Sequence, residues 1–151
     1  MSIFRSVLVA AVLCALPLLG VPQAQAQDLP GGGCRQGSPM TGQLLPGTGS
    51  AGQSIRRQAA LSDCASPLLP GITAGQFGVS IPWNVTTAPT TATFRWSNGS
   101  VSTATGYGNG LWLITSGPAA GHGIQLNVAD TWAGWYLSPA DVTVTSATFV
   151  S

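Results

Sequence analysis

The chain has 151 residues, with only 5 Lys or Arg, 4 Asp or Glu and 1 His, and its charged residues include neither Lys nor Glu. Apart from Arg5, the cations are Arg35, Arg56, Arg57 and Arg95, balanced by Asp28, Asp63, Asp130 and Asp141. Clustered cations are what hold a phosphate backbone or an anionic membrane, and Arg56-Arg57 is the one adjacent pair, so neither nucleic acid nor a membrane surface is expected as a partner.

Residues 1–26 contain Arg5, an apolar run from Val7 to Leu19 and then Ala24-Gln25-Ala26, the pattern of a secretory signal peptide cleaved before Gln27. The run is shorter than the roughly 18–20 apolar residues a membrane span needs, and Pro17 interrupts it. Cys14 leaves with the leader, and Leu13 stands before it where a lipoprotein signal wants a small residue. Residues 27–33 (QDLPGGG) read as a flexible lead-in, and residues 34–151 as a single domain with enough chain for a core. Cys34 and Cys64 are then the only cysteines, and in an oxidising compartment they are expected to form a structural disulfide. No Cys-x-x-Cys points to redox chemistry.

Ser38-Pro39 and Leu45-Pro46-Gly47-Thr48-Gly49 read as loop, with room for short strands between them. From Gln53 to Leu61 a strand would put Ile55, Arg57, Ala59 and Leu61 on one side, but Arg57 breaks the apolar face and RRQAAL fits a helical turn equally well. Phe77, Val79, Ile81, Trp83 and Val85 alternate with polar or small residues, which predicts a half-buried strand. Pro82 within it argues for an edge position or a bulge.

Thr91 to Tyr107 predicts a hairpin closed by a two-residue type I′ turn at Asn98-Gly99, which requires positive φ at both. Asn98→Pro would then abolish folding. The implied register sets Trp96 opposite Val101 and Phe94 opposite Thr103, with Phe94, Trp96 and Val101 on the core side and Thr93, Arg95 and Ser102 on the wet side. Leu111 to Thr115 is apolar on both faces, as in a central strand, and Ile124, Leu126 and Val128 alternate in the next. In the last strand, Asp141 to Val150, Val142 and Val144 share one face and Phe149 falls on the other, which predicts a bulge near Ser146. About seven short strands with Gly and Pro between them predict an all-β, immunoglobulin-like antiparallel β-sandwich carrying one disulfide.

The succession of an early Cys, Leu45-Pro46-Gly47, Cys64 followed by Ser66-Pro67, Phe94-Arg95-Trp96-Ser97-Asn98-Gly99, and Thr115-Ser116-Gly117-Pro118-Ala119-Ala120-Gly121 resembles a set of small secreted actinobacterial proteins of no assigned activity. The resemblance spans most of residues 34–151. It implies an immunoglobulin-like fold and an extracellular location, and no activity. Many members carry a further cysteine toward the C-terminus, where this chain has Trp132, Trp135 and Tyr136.

Candidate chemistry is sparse. A glycosidase pair would have to come from Asp130 and Asp141, both at strand ends where turn-capping is the competing role. A Ser-His-Asp hydrolase would have to use His122, which sits between Gly121 and Gly123 with no G-x-S-x-G elbow in the chain. Gly47-Thr48-Gly49-Ser50-Ala51-Gly52 matches G-x-G-x-x-G as a string but follows Pro46 rather than a strand. No metal or cofactor is expected, and no catalytic residue is assigned. The aromatics Trp132, Trp135 and Tyr136 are candidates either for a flat platform that stacks sugar rings or for core packing. The expected function is that of a secreted, non-catalytic binding or structural module. Its partner would be a polysaccharide, a cell-wall polymer or another extracellular protein, and the alternatives are a carbohydrate-binding module using the aromatics and a hydrolase using His122.

Overall fold

The computed structural model describes residues 31–46, 52–82, 89–129, 132 and 135–150. Residues 1–30, which hold the expected leader and the first four residues of the expected lead-in, lie outside them, as do Asp130, Trp83, Val85 and the glycine-rich string from Gly47 to Ala51.

Nine strands form one antiparallel sheet: β1 (Gly33–Gly37), β2 (Pro39–Pro46), β3 (Gln53–Ala65), β4 (Gly75–Pro82), β5 (Thr90–Trp96), β6 (Val101–Gly106), β7 (Leu111–Ser116), β8 (Gly123–Val128) and β9 (Val142–Val150). The sole helical element among the described residues is a 3-10 turn, η1 (Trp135–Leu137). β1 and β2 behave as one strand broken at Ser38, since both pair with β3 on one side and β9 on the other. At the break the Ser38 hydroxyl accepts the Ala60 N–H at 2.9 Å, while the Ser38 carbonyl accepts the Val144 N–H at 3.1 Å. The ladder is thus carried across the interruption.

Counted this way, each strand pairs with the next in sequence and the last returns to the first, giving a closed antiparallel barrel of 8 strands. The chain is all-β and carries the Cys34–Cys64 disulfide. The seven-strand immunoglobulin-like sandwich is not what forms. A sandwich needs strands that leave one sheet for another through crossing connections, whereas here every connection joins hydrogen-bonded neighbours, and closure removes both exposed edges.

Period-two alternation decides which side chains fill the barrel. Ile55, Ala59, Leu61, Phe77, Val79, Ile81, Phe94, Trp96, Trp112, Ile114, Ile124 and Leu126 all point inward and are buried. The aromatic centre is continuous: Phe77 lies 5.2 Å from Phe94 and 5.4 Å from Trp112, and Phe94 stacks on Trp96 at 5.4 Å. Outward positions such as Thr41, Gln43, Arg56, Gln58, Gln76, Thr91, Arg95, Thr143 and Thr145 are exposed. One end of the barrel is closed by residues 66–74, which bury Leu69 and Ile72, and the other by residues 135–141.

Several expectations hold. β3 is a strand, with Ile55, Arg57, Ala59 and Leu61 facing inward together. β9 carries its bulge where the inward phase changes: Asn127 pairs Ser146 but Val128 pairs Val144. Pro82 departs from the edge or bulge expected of it: it is the last residue of β4, opposite Ser54, in a barrel with no edge strand. Leu111 to Thr115 departs from expectation. In a closed single sheet no strand is covered on both faces, so Trp112 and Ile114 are buried while Leu111 and Leu113 face water.

The hairpin exists, but its register differs by one residue. The Gly99 N–H donates to the Trp96 carbonyl and the Trp96 N–H to the Ser100 carbonyl, which makes a three-residue loop, Ser97 to Gly99. Only Gly99 has positive φ, at 85°. This is the type I turn plus glycine bulge that competes with the two-residue type I′ turn for Asn-Gly sequences. Asn98 needs no positive φ, so the strain expected of Asn98→Pro on that ground does not arise. The slip sets Arg95 opposite Val101 and Phe94 opposite Ser102. A one-residue slip turns every side chain of the second strand over. Val101 is therefore 42% exposed and Ser102 is fully buried, both opposite to expectation.

Burying Ser102 is compensated by two hydrogen bonds: its hydroxyl accepts the Trp96 indole N–H at 2.7 Å and donates to the Pro118 carbonyl at 2.7 Å. Ser102→Ala leaves a buried indole N–H and a carbonyl unpaired. The expected cost is about 1–3 kcal/mol by urea denaturation. A loss below about 0.5 kcal/mol would show that the relay adds nothing.

Candidate functional site

The outer face of β3, β4 and β5 holds a concave surface. Register places Arg56 opposite Ser80, Gln58 opposite Gly78, Gly78 opposite Thr93 and Gln76 opposite Arg95. Gly78 supplies no side chain, so it floors a groove of about 500 Å³ whose walls are those polar residues. A Cβ placed on Gly78 would meet only the Thr93 hydroxyl oxygen, at 3.7 Å. From strand spacing and rise, the two arginine Cα atoms are roughly 16 Å apart. Both arginines are exposed, and the one ion pair among the described residues lies elsewhere, between Arg35 and Asp63 at 3.8 Å. The groove therefore presents two unneutralised cations, with amides and hydroxyls between them.

Arg57 follows Arg56 in sequence and points the opposite way, into the barrel, because successive strand residues alternate faces. Its side chain is 1% exposed. The guanidinium donates to the carbonyls of Trp135 at 3.0 Å, Ala140 at 3.2 Å and Ser138, and it lies 5.5 Å from the centre of the Trp135 ring. Burial lowers its pKa, and the Asp141 carboxylate partly offsets that by favouring the charged form. Asp141 itself accepts the Gly42 N–H at 2.9 Å. Segment 135–141 is thus pinned over one end of the barrel by a cation bonded to three backbone carbonyls.

That arrangement decides how the aromatics are presented. Trp135 is 8% exposed beneath the plug, and Tyr136 meets it edge-on, with ring centres 5.9 Å apart at 89°. Trp132 is 49% exposed. The three rings form no common flat face: Trp135 packs on the core, Tyr136 is half-buried against it, and Trp132 alone is open to stacking.

His122 is exposed in the β7–β8 turn, where its carbonyl accepts the Ile114 N–H at 2.9 Å. Its neighbours across a shallow depression of about 300 Å³ are Leu111, Leu113 and Val150. Among the described residues no hydroxyl or carboxylate bonds its ring, and the Asp141 carboxylate accepts the distant Gly42 N–H instead. No three of His, Cys, Asp and Glu gather as metal ligands among the described residues. Cys34 and Cys64 face each other across β1 and β3 and are bonded.

Reading the sequence missed the groove, because it depends on which residue of β4 stands beside which residue of β3 and β5. The available signal was Gly78, a gap in the outward-facing row of an otherwise regular strand. Comparison with models of known protein families, with curated proteins and with solved structures finds no match to this chain.

Proposed function

We propose that the protein is a secreted, non-catalytic binding module whose partner is an acidic extracellular polysaccharide, held in the groove between Arg56 and Arg95. The observation that carries this reading is the groove itself: two exposed arginines without carboxylate partners among the described residues, separated by Gln58, Gln76, Ser80 and Thr93 over a glycine floor. Carboxylates spaced along a sugar chain match separated guanidinium groups, and ring hydroxyls match amides and side-chain hydroxyls. The leader at residues 1–26 and the disulfide support an extracellular setting. A second reading, sugar stacking, rests on Trp132 alone, since Trp135 is committed to the plug.

The test is affinity electrophoresis of the secreted protein through gels containing a uronic-acid polymer or a neutral glucan. Retardation is expected in the acidic gel only, with most of it lost in about 0.5 M salt, because surface charge pairing is screened there. Arg56→Gln and Arg95→Gln should each weaken binding about tenfold, the worth of one charge-assisted hydrogen bond. Gly78→Phe should fill the groove and stop binding with the fold intact, since a Cβ is sterically free there. Equal retardation in the neutral gel, or a Gly78→Phe protein that still binds, would defeat the reading. A loss confined to Trp132→Ala would favour the stacking mode instead.

A further inference from the structure

The chain has two Asn-Gly pairs, Asn98-Gly99 and Asn109-Gly110. Such a pair can react with itself, because glycine leaves its peptide nitrogen unshielded for attack on the preceding side-chain amide. In sequence the two pairs are equivalent, and the fold makes them different.

Asn98 and Gly99 lie at the exposed tip of the β5–β6 hairpin. The Asn98 Oδ1 accepts the Ser100 N–H at 3.0 Å and also accepts the Ser100 hydroxyl. The first bond closes a ring that contains both the Asn98 Cγ and the Gly99 nitrogen, so the two atoms meet by torsional adjustment within one turn. Both bonds draw electron density toward Oδ1 and stabilise negative charge that forms there. Space is available as well: a Cβ built on Gly99 meets nothing within 4 Å. The Gly99 N–H donates to the Trp96 carbonyl at 2.9 Å, and a bond at an exposed hairpin tip opens by local fluctuation.

The other described asparagines are held. Gly110 is buried, a Cβ there would lie 3.0 Å from the Leu126 carbonyl oxygen, and its own carbonyl accepts the Leu126 N–H at 2.8 Å. The Asn109-Gly110 peptide is thus fixed against β8. Asn127 lies within β8, donates from Nδ2 to the hydroxyls of Ser146 at 2.9 Å and Thr148 at 3.3 Å, and is followed by Val128, whose branched side chain shields its nitrogen.

We propose that Asn98 is a site of spontaneous covalent conversion, in which the Gly99 nitrogen displaces the side-chain amide and water opens the resulting succinimide to an aspartyl or isoaspartyl residue. The Gly99 N–H proton passes to solvent and the nitrogen electron pair forms the N–Cγ bond. The Cγ–Nδ2 bond then breaks, and ammonia leaves with a proton taken from solvent. Water adds to one of the two imide carbonyls, and nothing is oxidised or reduced. Hydrolysis at Cγ leaves a carboxylate that still accepts from Ser100. Hydrolysis at the main-chain carbonyl adds a methylene to the backbone inside the loop Ser97 to Gly99, where the hairpin register is set. Arg5 apart, arginines and aspartates balance, so either product makes the domain net acidic.

The test incubates the mature protein in neutral buffer and follows each described asparagine by peptide mapping and mass spectrometry. Acid at residue 98 is expected to accumulate at least about tenfold faster than at Asn109 or Asn127, because the exposed turn opens more readily. An acidic isoform should appear in step on isoelectric focusing. Asn98→Gln, whose longer side chain closes the ring poorly, should abolish that isoform. Ser100→Ala removes the hydroxyl donor and keeps the N–H, and should slow conversion about threefold, less than such a donor is worth when buried because water competes here. Conversion at Asn109 as fast as at residue 98, an Asn98→Gln protein with the same acidic isoform, or a Ser100→Ala rate as high as the parent's would each overturn the proposal.

Discussion

Arg57→Ala is expected to destabilise the protein by about 3–5 kcal/mol, the range for removing one partner from a buried charged network. Two costs combine. The carbonyls of Trp135, Ser138 and Ala140 lose their shared donor, and the space left under the Trp135 ring is a cavity. Arg57→Met separates the two, because it refills most of the volume while leaving the carbonyls unpaired. It should recover only a minority of the loss. Guanidinium denaturation gives the stability, and a red shift of tryptophan emission in the folded baseline reports release of Trp135. An Arg57→Met protein as stable as the parent would mean that segment 135–141 stays in place by packing alone, and that the three bonds contribute nothing net.

Removing the disulfide through a Cys34→Ala and Cys64→Ala double substitution is expected to cost roughly 3.5–4 kcal/mol, from the chain entropy released when a loop of about 30 residues is no longer closed. Its position sharpens the expectation. Cys34 pairs with Cys64 of β3 on one side and with Ala147 of β9 on the other, at the seam where the first strand meets the last. That seam joins the most distant parts of the chain, so it carries the largest entropic cost of the whole ladder. Amide exchange in the double variant should therefore accelerate first in β1 and the second half of β9, while β5 and β6, linked by a short turn, stay protected. Uniform acceleration across the sheet, or a loss below about 1 kcal/mol, would show that closure of the barrel does not depend on the bridge.

Both predictions concern groups whose roles were only half visible in the sequence. Arg57 stood out as the one charge on an apolar face of a strand, and that irregularity was the trace of the buried network. What completed the network came from residues about 80 positions later, in a segment with no regular pattern of its own. The aromatic cluster shows the converse. Trp132, Trp135 and Tyr136 were conspicuous as a group, but the turn η1 gives the adjacent Trp135 and Tyr136 different directions, one buried and one half-buried, and Trp132, outside that turn, is exposed.

By itself the sequence determined the local, periodic features of this protein: all-β character, the inward row of β4, the alternation of β8, the bulge in β9 and the pairing of two cysteines, while it left β3 open between a strand and a helical turn. These follow from side-chain alternation and from a cysteine count, neither of which needs knowledge of distant neighbours. Tertiary structure decided the rest. Closure of one sheet into a barrel depends on the first strand reaching the last. The hairpin register depends on which of two competing Asn-Gly turns lets Ser102 meet Trp96 and Pro118. The groove between Arg56 and Arg95 depends on three strands lying side by side. Each is a relation between residues far apart or between near-equal local alternatives, and it is settled by the contacts that only the folded chain brings together.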